Sequence, residues 1–367
     1  MNNRENVRRR TRQDILSYDK IVLWGAGFAC PAAIDCIGAE RISAVFDNDS
    51  RKWGSRVSGV PVLSPGPELE QYKKDNCAFV ISTNGYEYEI ARELINKWGI
   101  KEDALFCNTN KTLEECRYRP DMIEANWDRI MKVRDLLADQ ESRAYYMDFI
   151  TACYTRNPLF FKGNPRSVEA YEYNTDLAQV GLQGGENILD CGAFNGDTAR
   201  IFLQKTNHNC EVYCFEPVVE NCNEMRRWIE AEGIGNVHAY NVGVGDTAHT
   251  DIVYSTEART TMAAVGNNRF NAENPYMSQI QVDTLDHMAK DIKVGYIKMD
   301  IEGAEMSALR GAQTVIRQNS PQMLISGYHR ITDMWEVPEY VLGLVPEYKI
   351  FLGHQPHVPY EPEFLFV

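Results

Sequence analysis

The sequence predicts an α/β protein with two doubly wound domains, and three observations carry that prediction. Residues 188–198 read ILDCGAFNGDT, a short apolar run that ends in an acid and passes through a glycine turn into a helix. The same order recurs at residues 20–27, KIVLWGAG. In each half a second apolar run follows and ends in an acid, Asp47 and Glu216, about 20 residues beyond the turn, where a carboxylate meets a ribose diol in dinucleotide-binding folds.

With 367 residues the chain exceeds a single core, which stops growing near roughly 250 to 300 residues. Residues 1–17 are polar and basic, and a mobile N-terminus is expected there. A Rossmann-like domain over 18–112 resembles nucleotide or nucleotide-sugar binding domains. A helical connector over 113–170 and a second domain over 171–367 complete the division.

Lys and Arg number 38 against 52 Asp and Glu, a formal net charge of −14, so a nucleic acid would be repelled overall and no nucleic-acid partner is expected. No apolar segment approaches the roughly 18 to 20 residues of a membrane span, and the N-terminus lacks the apolar stretch of a signal peptide. A cytoplasmic protein is the expectation, and a homo-oligomer stays open. Ten cysteines without a CxxC pair read as reduced thiols, neither a zinc site nor a disulfide framework.

In the first half, strands are expected at 20–24, 42–46 and 77–82, and helices after the Gly25/Gly27 turn and over 87–98. The third glycine of a dinucleotide fingerprint is replaced by Cys30, which counts against bound NAD and against an oxidoreductase. From 113 to 161, Ile123, Trp127, Ile130, Val133, Leu136 and Leu137 recur near helical spacing, as do Tyr145, Tyr146, Phe149 and Ile150. Their stripe is expected to pack on the second domain.

In the second half, strands at 188–190, 211–215, 236–241 and 294–299 bring Asp190, Glu216, Asn241 and Asp300 to their carboxyl ends. An insertion over 247–288 holds strands at 250–254 and 279–282. A helix over 304–318 precedes a strand at 323–326, which delivers Tyr328, His329 and Arg330. After a helix at 337–344, KIFLGH and EFLFV read as paired last strands, one an antiparallel addition to the sheet. In open α/β sheets the ligand lies beyond the carboxyl ends of the strands, which collects Asp190, Glu216, Asn241, Asp300 and His329 on one edge.

Four stretches, DCGAFNGDT, CFEP, TLDHM and KMDIEGAE, are similar motif by motif to the FkbM-type S-adenosylmethionine-dependent methyltransferases. The resemblance covers roughly residues 171–367. It implies a class I methyltransferase-type doubly wound sheet, S-adenosylmethionine as cofactor, and an enzyme that methylates a hydroxyl of a sugar, glycoside or related small molecule. Cofactor contacts are then expected from Asp190, Gly192, Ala193, Asn195, Gly196, Asp197, Glu216, Asn241 and Asp300, and a flap over the cofactor from 171–177.

Because the methyl donor is already a strong electrophile, the chemistry left to the chain is to hold the acceptor and remove its proton. Asp300, Glu302 and His329 are the candidate catalytic residues. A divalent cation on Asp300 and Glu302 is a second possibility, but the sequence offers no dedicated oxygen cage and no metal ligand is assigned. Lys298 receives no role. The competing reading is a non-catalytic or regulatory nucleotide-sugar binding protein.

Overall fold

The computed structural model describes residues 8–83, 85–163, 173–174, 179–180, 182, 184–256, 259–261, 277–355 and 358–367. Most of the expected flap and the middle of the insertion lie outside these residues. The chain forms two compact units, one of Met1–Asp135, Gln140–Pro165 and Pro356–Pro362, the other of Leu136–Asp139, Arg166–Gln355 and Glu363–Val367.

The first unit is built on β1 (Lys20–Trp24), β2 (Ile42–Phe46), β3 (Arg56–Val57), β4 (Val60–Leu63), β5 (Cys77–Ile81) and β6 (Leu105–Phe106), in the order β3-β4-β2-β1-β5-β6. All neighbours are parallel except β3 with β4. Side chains alternate across a strand, so β1 sends Ile21 and Leu23 into one core and Val22 and Trp24 into another on the opposite face. Burial on both faces explains the unbroken apolar runs of these strands.

Within the stretch expected to be mobile, Arg12–Leu16 is a helix whose Thr11 and Asp14 form a reciprocal cap, with Ile15 buried. Arg10 donates to the carbonyls of Asp103, Leu105 and Thr155. The helices Lys111–Cys116, Pro120–Ala125, Trp127–Leu136 and Gln140–Thr155 fall almost wholly in this first unit. Arg156, 1% exposed, makes a two-pronged pair with Glu114 at 2.5 and 2.7 Å.

The second unit adds β7 (Tyr173–Asn174), β8 (Gln179–Val180), β9 (Asn187–Cys191), β10 (Glu211–Phe215), β11 (Val237–Tyr240), β12 (Gly243–Val244), β13 (His249–Thr256), β14 (Arg259–Thr261), β15 (Met277–Asp283), β16 (Val294–Met299), β17 (Gln322–Ser326), β18 (Ile350–Gly353) and β19 (Glu363–Phe366). Its main sheet runs β11-β10-β9-β16-β17-β19-β18. The strands from β11 to β17 are parallel, and β19 runs antiparallel to both β17 and β18. The two insertion strands pair with each other in a separate sheet, β12-β15-β13-β14.

One expected element is divided. The helix read over 304–318 is two, Glu305–Arg310 and Gln313–Asn319, separated at Gly311. A Cβ on Gly311 would lie 2.0 Å from the Gly245 carbonyl oxygen, so two backbones meet where a helix pattern alone shows only a tolerated glycine.

Candidate functional site

The loops after β10, β9, β16 and β17, neighbours in that order, all leave the carboxyl edge of the main sheet. The glycine turn after β9 is held from several sides. Gly192 has φ +79°, and a Cβ there would stand 1.9 Å from the Asp300 carbonyl oxygen, so only glycine fits. Glu216, 5% exposed, reaches back from the β10 loop: Oε2 accepts from Phe194 N at 3.0 Å and Oε1 from Val218 N at 2.9 Å. Burial is the main reason its pKa is pushed up to about 7, against the pull of those hydrogen bonds.

Beneath the turn, Asp190 and Lys298 are Cα partners on β9 and β16. Lys298 Nζ donates to the Gly192 carbonyl at 2.8 Å and lies 3.4 Å from Asp190 Oδ1. Burial raises the Asp190 pKa and the ammonium opposes it. Reading alternation along one strand left Lys298 without a role, because its partner lies on a strand more than a hundred residues away in sequence.

The remaining turn residues differ in exposure and in what they bond. Gly196 adopts φ +85° at the start of the helix Asp197–Lys205, and Asp197 occupies its first turn, where a carboxylate suits the helix dipole. Ala193 is fully buried, and Asn195 Nδ2 donates to Glu224 while its Oδ1 has no hydrogen-bond partner. Asn241 Nδ2 donates to the carbonyls of Glu216 and Pro217, so it braces the Glu216 loop. Phe194, Val219 and Tyr240, at the ends of three neighbouring strands, are 45%, 43% and 43% exposed. Their apolar faces have no counterpart in the motif reading, since single exposed residues leave no periodic signal.

On the other side, His329 gathers acids. Its Nδ1 lies 2.9 Å from Glu305 Oε1, and its Nε2 lies 3.5 Å from both Asp300 Oδ1 and Glu302 Oε2. Glu305 is fully buried and its Oε1 also accepts from Ile301 N at 3.0 Å. The Tyr328 hydroxyl donates to Asp300 at 3.1 Å. Burial alone would lower the His329 pKa, but Glu305, Asp300 and Glu302 push it up to about 10. For Asp300 burial acts upward, and His329, Lys298 and Tyr328 together hold its pKa below the ordinary value. Glu302 has φ +56° and Gly303 φ +97°, an uncommon left-handed pair in the turn that carries these acids. Asp300, Glu302 and His329 are therefore brought together; Glu305, which joins them, received no role from the sequence, though it stands three residues beyond Glu302 in KMDIEGAE.

In the first unit, Gly25 has φ +105°, and Asp47 accepts from Ala26 N at 2.7 Å, Asp49 N at 2.8 Å and Lys52 Nζ at 2.9 Å. This carboxylate closes on its own glycine turn as Glu216 does, with an ammonium added. Cys30 is buried at the start of the helix Cys30–Ile37. All ten cysteines are free thiols. Among the described residues, no helix is long and apolar enough to cross a membrane.

A parallel sheet with an antiparallel final strand, a glycine turn gripped by an acid from the next strand, and polar groups along the carboxyl edge define a Rossmann-like methyltransferase fold. Residues 190–349 match the methyltransferase FkbM domain, so this region of the chain is an FkbM-type methyltransferase domain. Its structure is similar to that of methyltransferase FkbM from Methylobacillus flagellatus KT, with a TM-score of 0.73 and 19% identity over 95% of this chain and 90% of that one. A putative rRNA methylase from Clostridium thermocellum gives a TM-score of 0.33 at 11% identity over 50% of this chain and 87% of that one. SMU.1697c, a putative methyltransferase from Streptococcus mutans in complex with SAH, gives 0.29 at 13% identity over 50% and 90%. Only the first bears on the fold. No curated protein matches the sequence.

Proposed function

We propose that the chain is an S-adenosylmethionine-dependent O-methyltransferase acting on a hydroxyl of a sugar, glycoside or related small molecule. The observation that carries this reading is the Asp300–Glu302–His329 group standing on the same sheet edge as the Gly192 turn and Glu216, on loops from adjacent strands.

The residues present fit the donor. Glu216 is the carboxylate for a ribose diol, the Gly192–Asp197 turn admits close backbone approach, and Phe194, Val219 and Tyr240 offer apolar faces to a base. Asn195 Oδ1, buried without a hydrogen-bond partner, is a further acceptor. When bound, S-adenosylmethionine supplies an electrophilic methyl group.

The chain supplies position and proton removal. Asp300 and Glu302 side chains are 36% and 41% exposed while His329 is 9% exposed, so an acceptor hydroxyl meets the carboxylate oxygens first. The single hydroxyl proton passes to one carboxylate oxygen, Asp300 Oδ1 or Glu302 Oε2. His329 and Tyr328 fix Asp300, which keeps it ionised and oriented. Such positioning and base catalysis contribute roughly 100- to 10,000-fold in the latter term alone.

The test is calorimetric titration with S-adenosylmethionine and its demethylated product, followed by a radiolabelled methyl-transfer assay on sugar alcohols, glycosides and nucleotide-sugars. Transfer to a hydroxyl supports the reading. Donor binding with transfer only to nitrogen, sulfur or carbon acceptors overturns it.

A further inference from the structure

We propose that His329 Nε2, Asp300 and Glu302 form a binding site for one divalent transition-metal ion, with Glu305 holding the imidazole in place. The two ring nitrogens are in different situations. A carboxylate can only accept, so Nδ1 carries its hydrogen toward Glu305 Oε1 at 2.9 Å, and Glu305 is itself fixed by Ile301 N. A cation that displaces the proton on the other ring nitrogen then meets the Nε2 lone pair on the far side of the ring. Nε2 is buried and has no hydrogen-bond partner, although two carboxylate oxygens stand 3.5 Å from it.

Those distances suit a shared cation. Ligand atoms about 2.0 to 2.2 Å from a metal are separated by roughly 3 Å at an octahedral edge and roughly 3.4 Å at a tetrahedral one. Each carboxylate oxygen therefore stands from Nε2 at about the separation of two ligands of one ion, and an ion there draws in the partly exposed Glu302 carboxylate to complete the set. Asp300, Glu305 and His329 also each offer an atom within 4.8 Å of one another, so the ring converges with Asp300 and with the carboxylate that holds it.

The outer partners follow the pattern that metal-binding histidines require. The second ring nitrogen donates to a buried carboxylate, which orients the ring and raises its basicity, and a phenol hydroxyl donates to a ligand carboxylate. The charge balance points the same way. Asp300, Glu302, Glu305 and Asp333 surround one imidazole, with Arg330 the neighbouring cation, while Lys298 is held by Gly192 and Asp190. Two carboxylates and one imidazole favour Mn²⁺ or Zn²⁺ over Mg²⁺, which prefers oxygen and water.

Any bearing on methyl transfer rests on the reading above, but cation binding does not and is measured without donor or acceptor. The experiment titrates Mn²⁺ into the full chain and follows free Mn²⁺ by electron paramagnetic resonance. One saturable site per chain is expected, weakened roughly tenfold or more in Glu302→Gln, Asp300→Asn and His329→Gln, with Mg²⁺ a much poorer competitor. Glu305→Gln should weaken binding about 10- to 100-fold through the ring alone. Glu302 is partly exposed, so Glu302→Gln tests the site even if a buried variant fails to fold, and Glu124→Gln serves as a distant control. No saturable binding, or equal binding in wild type and Glu302→Gln, overturns the proposal. Mn²⁺ binding without any methyl transfer would leave it standing and count against the enzymatic reading instead.

Discussion

Lys298 and Asp190 face each other on adjacent parallel strands, the ammonium 3.4 Å from the carboxylate and both side chains buried. Removing one member of a buried pair leaves the other charge uncompensated, which typically costs about 3 to 5 kcal/mol. Lys298→Met should therefore lower stability by that order in urea unfolding, and adding Asp190→Asn should restore part of it. A loss in the single variant that the double variant does not reduce would show that Lys298 acts only through the Gly192 carbonyl.

Glu216 should make donor binding depend on pH. Its folded pKa of about 7 lies above the unfolded value of roughly 4.3. Its contribution to stability is complete below the unfolded value and is lost as pH rises through 7, because the native state holds the proton longer. Donor affinity runs the other way, since a diol needs the carboxylate as acceptor. Calorimetry at pH 6 and pH 8 should give tighter binding of S-adenosylmethionine at pH 8, with the difference flattened in Glu216→Gln. Glu216→Ala should weaken binding by about 1.5 to 3 kcal/mol.

Glu87 sets a parallel expectation for the first unit. It is buried, accepts from Gly85 N at 2.9 Å, and burial pushes its pKa up to about 7. Native protein again holds the proton longer, so stability should fall between about pH 4.3 and pH 7 by roughly 3 kcal/mol and then level off. Denaturation across that window in wild type and Glu87→Gln is the measurement; identical slopes would assign the dependence to other groups.

For the reaction, His329→Ala and Asp300→Asn should reduce kcat far more than they weaken donor binding. The interactions they remove, orientation and proton acceptance at the hydroxyl, are strongest in the transition state. Steady-state kinetics beside donor titration separates the two. An equal loss in both quantities would move these residues from the acceptor to the donor side.

The seven strands of the second main sheet and β1, β2 and β5 of the first were legible because burial on two faces writes them as short apolar runs, from KIVLW at β1 to YIKM within β16, whereas β3, β4 and β6, two to four residues long, were not. Glycine turns and their acids were legible because the backbone permits few residues there. Lys298 and Glu305 were not, since their meaning depends on partners set by register and loop closure. Neither was the division at Gly311, where the cause is the backbone of Gly245. The helices around residues 111–155 had a readable stripe, but an apolar stripe does not say which core it joins.

Residues 356–362 belong to the first unit although nearly all of the second precedes them, and Tyr145, buried in the first unit, donates its hydroxyl to the Pro359 carbonyl at 2.9 Å. On the ribosome the first unit is therefore unfinished until the loop between β18 and β19 has been made. Synthesis of the catalytic sheet is then also the timer for completing its neighbour, and a polypeptide released early would lack both β19 and the acceptor for Tyr145.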